Sequence, residues 1–144
     1  MPLVFAQSND GAFPARIAEQ QGPTHFGLAV TAEAGANVTT LNVSSGGVRA
    51  TYHISARPIH EDDVARARAA ELRGRVPGMA DLAARCRTAW LVEPVNDPPE
   101  WLTWECCALV AFVALGPILP DDDASLLGVR SARERAERLR AAAG

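Results

Sequence analysis

The chain has 144 residues, 48% of them hydrophobic and 22% charged, with a formal net charge of -3, a length that suits one domain (1–144) able to bury about two thirds of its unfolded surface. The acidic balance, with a pI near 5.6, separates it from dedicated nucleic-acid binders, which carry a basic excess. Its three cysteines, Cys86, Cys106 and Cys107, make no disulfide framework, and polar residues from Asn9 onward interrupt any secretory leader, so a reducing cytoplasm is the expected setting.

All fourteen basic residues are Arg. Together with abundant Ala, that chain-wide bias reads as the mark of a GC-rich bacterial genome, and no function is drawn from it.

Residues 2–6, PLVFA, suit a short strand, and Ser8, Asn9, Asp10 and Gly11 read as a turn. Residues 14–21 suit a short helix stopped by Gly22 and Pro23. From residue 26 to residue 57 the pattern has period two, the signature of half-buried strands. Phe26, Leu28 and Val30 alternate with smaller residues, 33–37 forms a turn, 38–43 is β-branched, and 44–47 turns again. The clearest strand then follows, with Val48, Ala50, Tyr52, Ile54 and Ala56 on one face and Arg49, Thr51, His53, Ser55 and Arg57 on the other. Short connections imply an antiparallel meander with one covered face.

Pro58 ends the sheet, and Glu61, Asp62 and Asp63 place negative charge where a helix N-terminus favours it, predicting a helix over 61–73. After Pro77 and Gly78, the residues Met79, Leu82, Ala83, Cys86, Ala89 and Trp90 recur at spacings of three and four, predicting an amphipathic helix. Residues 93–99, EPVNDPP, read as a stiff linker.

Residues 101–119 are the most apolar stretch, uninterrupted from Cys106 onward. The run is too short to span a bilayer, which needs about 20 apolar residues, and Asp121, Asp122 and Asp123 follow it directly. It therefore predicts a buried core helix over 99–115, with Phe112 in the interior, stopped by Gly116, Pro117 and Pro120. A last helix runs to about residue 142 with Leu127, Ala132, Ala136 and Leu139 facing inward. Its Arg133–Glu137 and Glu134–Arg138 spacings suit ion pairs, and five Arg against two Glu over 130–140 make its outer side basic.

The polar strand face is the leading candidate for binding. Arg49, Thr51, His53, Ser55 and Arg57 extend over about 27 Å and could hold an anionic ligand or an acidic segment, although alternation alone also places polar residues on a solvent-facing side. Imidazole and carboxylate donors at His53, His60, Asp62 and Asp63 offer weaker metal-ligating candidates, but their spacing matches no compact site and the acids also suit helix capping. The cysteines lie on apolar stretches and read as inert thiols. Glu105, set among Trp101, Leu109 and Phe112, is either partnered by Arg85 or Arg87, exposed, or raised in pKa, and is a weak candidate for a catalytic acid beside His53. Phosphate-binding loop, nucleophile-elbow and zinc-protease motifs are absent from the sequence, and no cofactor is implied.

The expectation is an α+β domain: three or four antiparallel strands from residues 1–58, packed on one face by three or four helices from 59–144, with 99–115 innermost. The first functional reading is a non-enzymatic binding or accessory protein acting on a protein partner or on a second copy, without nucleic acid or membrane. The alternative is a small enzyme or sensor that takes an anionic small molecule on the Arg49, His53 and Arg57 face, with His53 as the acid–base group. A homodimer is expected because an open antiparallel edge invites pairing.

Overall fold

A computed structural model describes residues 1–7, 13–74 and 78–143; the turn expected at Ser8–Gly11 and the break at Pro77 lie outside them. Among the described residues six strands form a single antiparallel sheet: β1 (Leu3–Ala6), β2 (Ala29–Ala34), β3 (Val38–Ser45), β4 (Val48–Pro58), β5 (Thr88–Val95) and β6 (Ile118–Leu119). Their order across the sheet is β2-β3-β4-β5-β1-β6. Five α-helices accompany them: α1 (Ala15–Gln21), α2 (Glu61–Gly74), α3 (Met79–Arg85), α4 (Glu100–Ala114) and α5 (Val129–Ala143). The α+β class is therefore as expected, with more strands and helices than the sequence suggested.

The β2–β3–β4 meander follows from its turns and its alternation. Gly46 and Gly47 both take positive φ, 57° and 83°, as the two-residue turn that matches strand twist requires. That turn fixes the register, placing Ser44 opposite Arg49, Asn42 opposite Thr51 and Leu41 opposite Tyr52. Leu41, Val43, Tyr52 and Ile54 are consequently buried on one face, together with Val4, Trp90 and Val92.

Helices α1, α4 and α5 cover this first face. Residues 106–111 of α4 are fully or almost fully buried, as expected for a helix apolar on most sides, and the Tyr52 hydroxyl meets Thr103 Oγ1 at 3.0 Å to tie the sheet to it. The C-terminal end of α4 meets β1 closely. A Cβ at Gly116 would collide with the Phe5 carbonyl oxygen, so only Gly fits there, and Gln7 satisfies the helix end by donating from its backbone to Ala114 O and from Nε2 to Leu115 O.

The second face carries a separate core. Leu3 and Phe5 of β1, Ala89 of β5 and Leu119 of β6 pack with Ala67 and Ala70 of α2 and with Ala80, Ala83 and Cys86 from α3 and its C-terminal end. Helices thus lie on both sides of the sheet, rather than on one side as expected.

Four further expectations are corrected. The helix foreseen through Trp90 stops at Arg85, and residues 88–95 form β5. Because β5 is central and covered on both sides at its start, its apolar residues run on without alternation, and that run mimics helical spacing. The segment 93–95, expected as linker, belongs to the same strand. Strands are therefore not confined to the first 58 residues, since β5 and β6 come from the later half and α1 from the earlier. Phe112, expected in the interior, is 39% exposed and rests edge-on against Phe26 at 5.6 Å, on a side of α4 that turns away from the sheet core.

No helix of the described residues is long and apolar enough to cross a membrane.

Candidate functional site

Helices α2 and α3 cover only the β1, β5 and β6 part of the second face, so the rest of it is bare. Four of the five candidate residues of β4, namely Arg49, Thr51, His53 and Ser55, project there and are exposed or half-buried. The ladder places Thr31 and Glu33 of β2, Thr40, Asn42 and Ser44 of β3, and Glu93 and Val95 of β5 on the same face. One row runs Glu33, Thr40, His53, Glu93, so that the imidazole stands between a hydroxyl and a carboxylate strand. The next row runs Thr31, Asn42, Thr51, Val95, and here the Thr51 hydroxyl lies 2.8 Å from Asn42 Oδ1, to which it donates.

Arg57 does not join this surface. Its guanidinium forms two hydrogen bonds to Asp63, Nη1 to Oδ2 at 2.6 Å and Nη2 to Oδ1 at 2.8 Å. The Asp63 side chain is only 3% exposed and also accepts the backbone N–H of His60 at 2.8 Å, the reciprocal half of a helix N-terminal capping arrangement. The hydrogen bonds from Arg57 hold the Asp63 carboxyl below its usual range, against the opposing effect of burial. The pair therefore fastens the end of β4 to the start of α2, which is a structural duty, and the anion cradle expected across Arg49, His53 and Arg57 is shortened to its Arg49 end.

The metal-ligating candidates are not assembled. His53 stands mid-strand on the bare face, whereas His60, Asp62 and Asp63 lie at the start of α2, and no group of three or more potential ligands occurs among the described residues.

Glu105 lies on α4 beneath α5. Its Oε2 is buried without a hydrogen-bond partner among the described residues, and burial pushes its pKa up, opposed by the nearby charge of Arg133 and Arg140. Neither Arg85 nor Arg87 reaches it as expected. The basic side of α5 is largely absorbed by packing. Arg133 lies over Phe26, Arg135 over Trp104 and Arg140 over Trp101, at 4.8, 4.7 and 4.3 Å. Instead of the expected pairs at 133–137 and 134–138, Arg130 pairs with Glu134 at 3.2 Å.

All three thiols are buried. Burial pushes Cys86 up to about 11 and Cys107 up to about 12, and raises Cys106 well above the usual thiol value, which keeps them in the unreactive protonated form.

Thr31, Asn42, Ser44 and Asn96 belong to this region although the sequence reading singled out only β4. The signal was present: once Gly46 and Gly47 are read as a two-residue hairpin turn, counting outward pairs Asn42 and Ser44 with Thr51 and Arg49. Asn96, by contrast, enters through a left-handed turn, with φ of 60° and 47° at Asn96 and Asp97, which no pattern announces.

Comparison with protein-family models, curated proteins and solved structures finds no match for the chain.

Proposed function

We propose that the protein is a non-enzymatic binding protein and that its contact surface is the bare half of the second sheet face. The observation that carries this reading is the division of that face. Where α2 and α3 lie, the strands contribute Leu3, Phe5 and Ala89. Where no helix lies, they contribute hydroxyls, amides and charges of both signs: Thr31, Glu33, Thr40, Arg49, Thr51, His53 and Glu93. A rigid, polar platform of this kind suits a non-obligate protein interface, whose rim and much of whose area are as polar as ordinary surface. All three cysteines are buried free thiols, which suits work in a reducing compartment such as the cytoplasm.

Self-association through the sheet edge is the weaker version of this reading. Glu19 Oε2 accepts the outward backbone N–H of Ala32 at 3.2 Å, so the edge of β2 is already partly occupied by α1, as protected edges are.

The test is affinity capture from cell extract with three proteins: the wild type, a double variant Thr40→Arg with Thr51→Arg, and an α5 control, Arg138→Glu. A protein retained by the wild type and the control but lost by the double variant supports the reading. Retention that ignores the double variant, or capture of nothing above background by the wild type, overturns it. Light scattering on the same samples separates a second copy from a foreign partner.

A further inference from the structure

One corner of the bare face is concave. A cavity of about 500 Å³ opens between the β2–β4 strands and the turn that follows β5, lined among others by Thr31, Asn42, Ser44, Arg49, Thr51 and Asn96. We propose that this cavity binds a small hydroxyl-bearing oxyanion, a phosphate or carboxylate on a polar carbon skeleton, with Arg49 as the anion-binding residue.

The donors decide the ligand. Arg49 brings the charged fork of N–H groups that fits carboxylate and phosphate oxygens. Among the described residues, Arg57, Arg66, Arg68 and Arg130 are paired with carboxylates and Arg133, Arg135 and Arg140 lie over aromatic rings. Arg49, like Arg16, Arg73, Arg85, Arg87 and Arg138, has neither kind of partner there, and of these it is the one that lines this cavity. The cavity wall holds no Asp or Glu to compete for it.

Asn42 is oriented in the same sense. Its Oδ1 is taken by the Thr51 hydroxyl at 2.8 Å, which leaves the Nδ2 donors free to face a ligand. Ser44, directly opposite Arg49 in the ladder, and Thr31 add hydroxyls that can donate to or accept from a polyol. Ala29, Val43, Ala50, Val95 and Pro98 complete the lining and offer apolar contact to a carbon skeleton, the usual division of labour in small-molecule sites. A donor-rich cavity with one unneutralised cation favours an acceptor-rich anion over a neutral sugar or a cation.

The inference does not depend on a protein partner, and a single titration separates the two. Wild-type protein labelled with nitrogen-15 is titrated through the millimolar range with glucose 6-phosphate, gluconate and glucose, and amide shifts are followed. Saturable shifts at Thr31, Asn42, Ser44, Arg49 and Thr51 with the phosphate or the carboxylate, and none with glucose, are expected; which anion binds more tightly names the group recognised. Arg49→Ala weakens that binding by about tenfold or more, the loss of a charge-assisted hydrogen-bonding group, while Arg138→Ala leaves it unchanged. Shifts that are absent with both anions, equal with glucose, or unaffected by Arg49→Ala overturn the proposal. The two readings fail separately in the wild-type protein: anion shifts without capture of a partner leave the cavity standing alone, and capture without anion shifts overturns the cavity and leaves the protein surface.

Discussion

The two ends of the sheet teach different lessons about the same backbone. At the β1, β5 and β6 end both faces are covered, and β5 carries Ala89, Trp90, Leu91 and Val92 as one apolar run. At the β2, β3 and β4 end only one face is covered, and the strands alternate between inward side chains that are mostly apolar and outward ones that are mostly polar. A strand's composition thus reports how many neighbours lie above and below it, and the change from one pattern to the other marks where the helices stop and the bare surface begins.

The largest expected difference comes from truncating one residue at each end of the second face. Phe5 is 0% exposed, and Phe5→Ala should lower stability by about 3 to 5 kcal/mol, whereas Thr40→Ala on the bare half should change it by less than about 0.5 kcal/mol. Urea denaturation measures both, and comparable losses would mean that the bare half is covered after all. Next in size is the joint between the two ends. Asp63→Asn leaves Arg57 short of its partner at the start of α2 and should cost about 1 to 3 kcal/mol, because the partly exposed guanidinium can recover some hydration.

The sign of the pH dependence follows from the depressed carboxyl. Asp63 titrates lower when folded than when unfolded, so its contribution is fully present above the unfolded value of about 3.9 and is lost as the pH falls through the folded value. Asp63→Asn should flatten that part of the acid limb in thermal melts taken across the acidic range. An unchanged acid limb would show that the pair does not couple α2 to the sheet.

Phe112→Ala should have a smaller effect, about 1 kcal/mol, since an exposed ring loses chiefly its edge contact with Phe26. A loss as large as that of Phe5→Ala would place this ring in a buried environment. The smallest effect has the opposite sign. Burial raises Glu105, so its folded pKa lies above the unfolded one. The penalty for ionising it is absent below the unfolded value of about 4.3, grows as the pH rises towards the folded value, and is complete beyond it. Glu105→Gln should therefore raise the melting temperature at pH 7 and leave it nearly unchanged at pH 4. A destabilised Gln variant at pH 7 would show that the carboxylate is held by Arg133 or Arg140 after all.

What the sequence made legible follows the same divide. The meander, the helix that follows it and the buried helix near 100–114 could be read because each shows one clean period or one uninterrupted run, although the meander starts at Ala29 rather than Phe26, which closes a π-helical turn, and β2 takes in Glu33 and Ala34, expected in a turn. Strand β5 could not, because burial on both faces erases alternation, and β6 could not, because two residues, Ile118 and Leu119, are too few to show any period. The β4 half of the candidate site was visible in the alternation of Arg49, Thr51, His53 and Ser55. The withdrawal of Arg57 was not, since it depends on Asp63 folding back six residues later, and nothing local distinguishes that aspartate from Asp62 beside it.

The position of β1 has a consequence for how the chain is made. Its partners are β5 on one side and β6 on the other, so a strand made well before both must wait for residues 88–95 and 118–119 before either of its edges is satisfied. During synthesis, at roughly 5 to 20 residues per second, Leu3, Val4 and Phe5 are made several seconds before the strands that flank them. The meander of β2, β3 and β4 can pair meanwhile, but the sheet closes only when its earliest strand is inserted between two of its latest. Until that insertion both edges of β1 stay unpaired, the kind of open edge that invites wrong pairing.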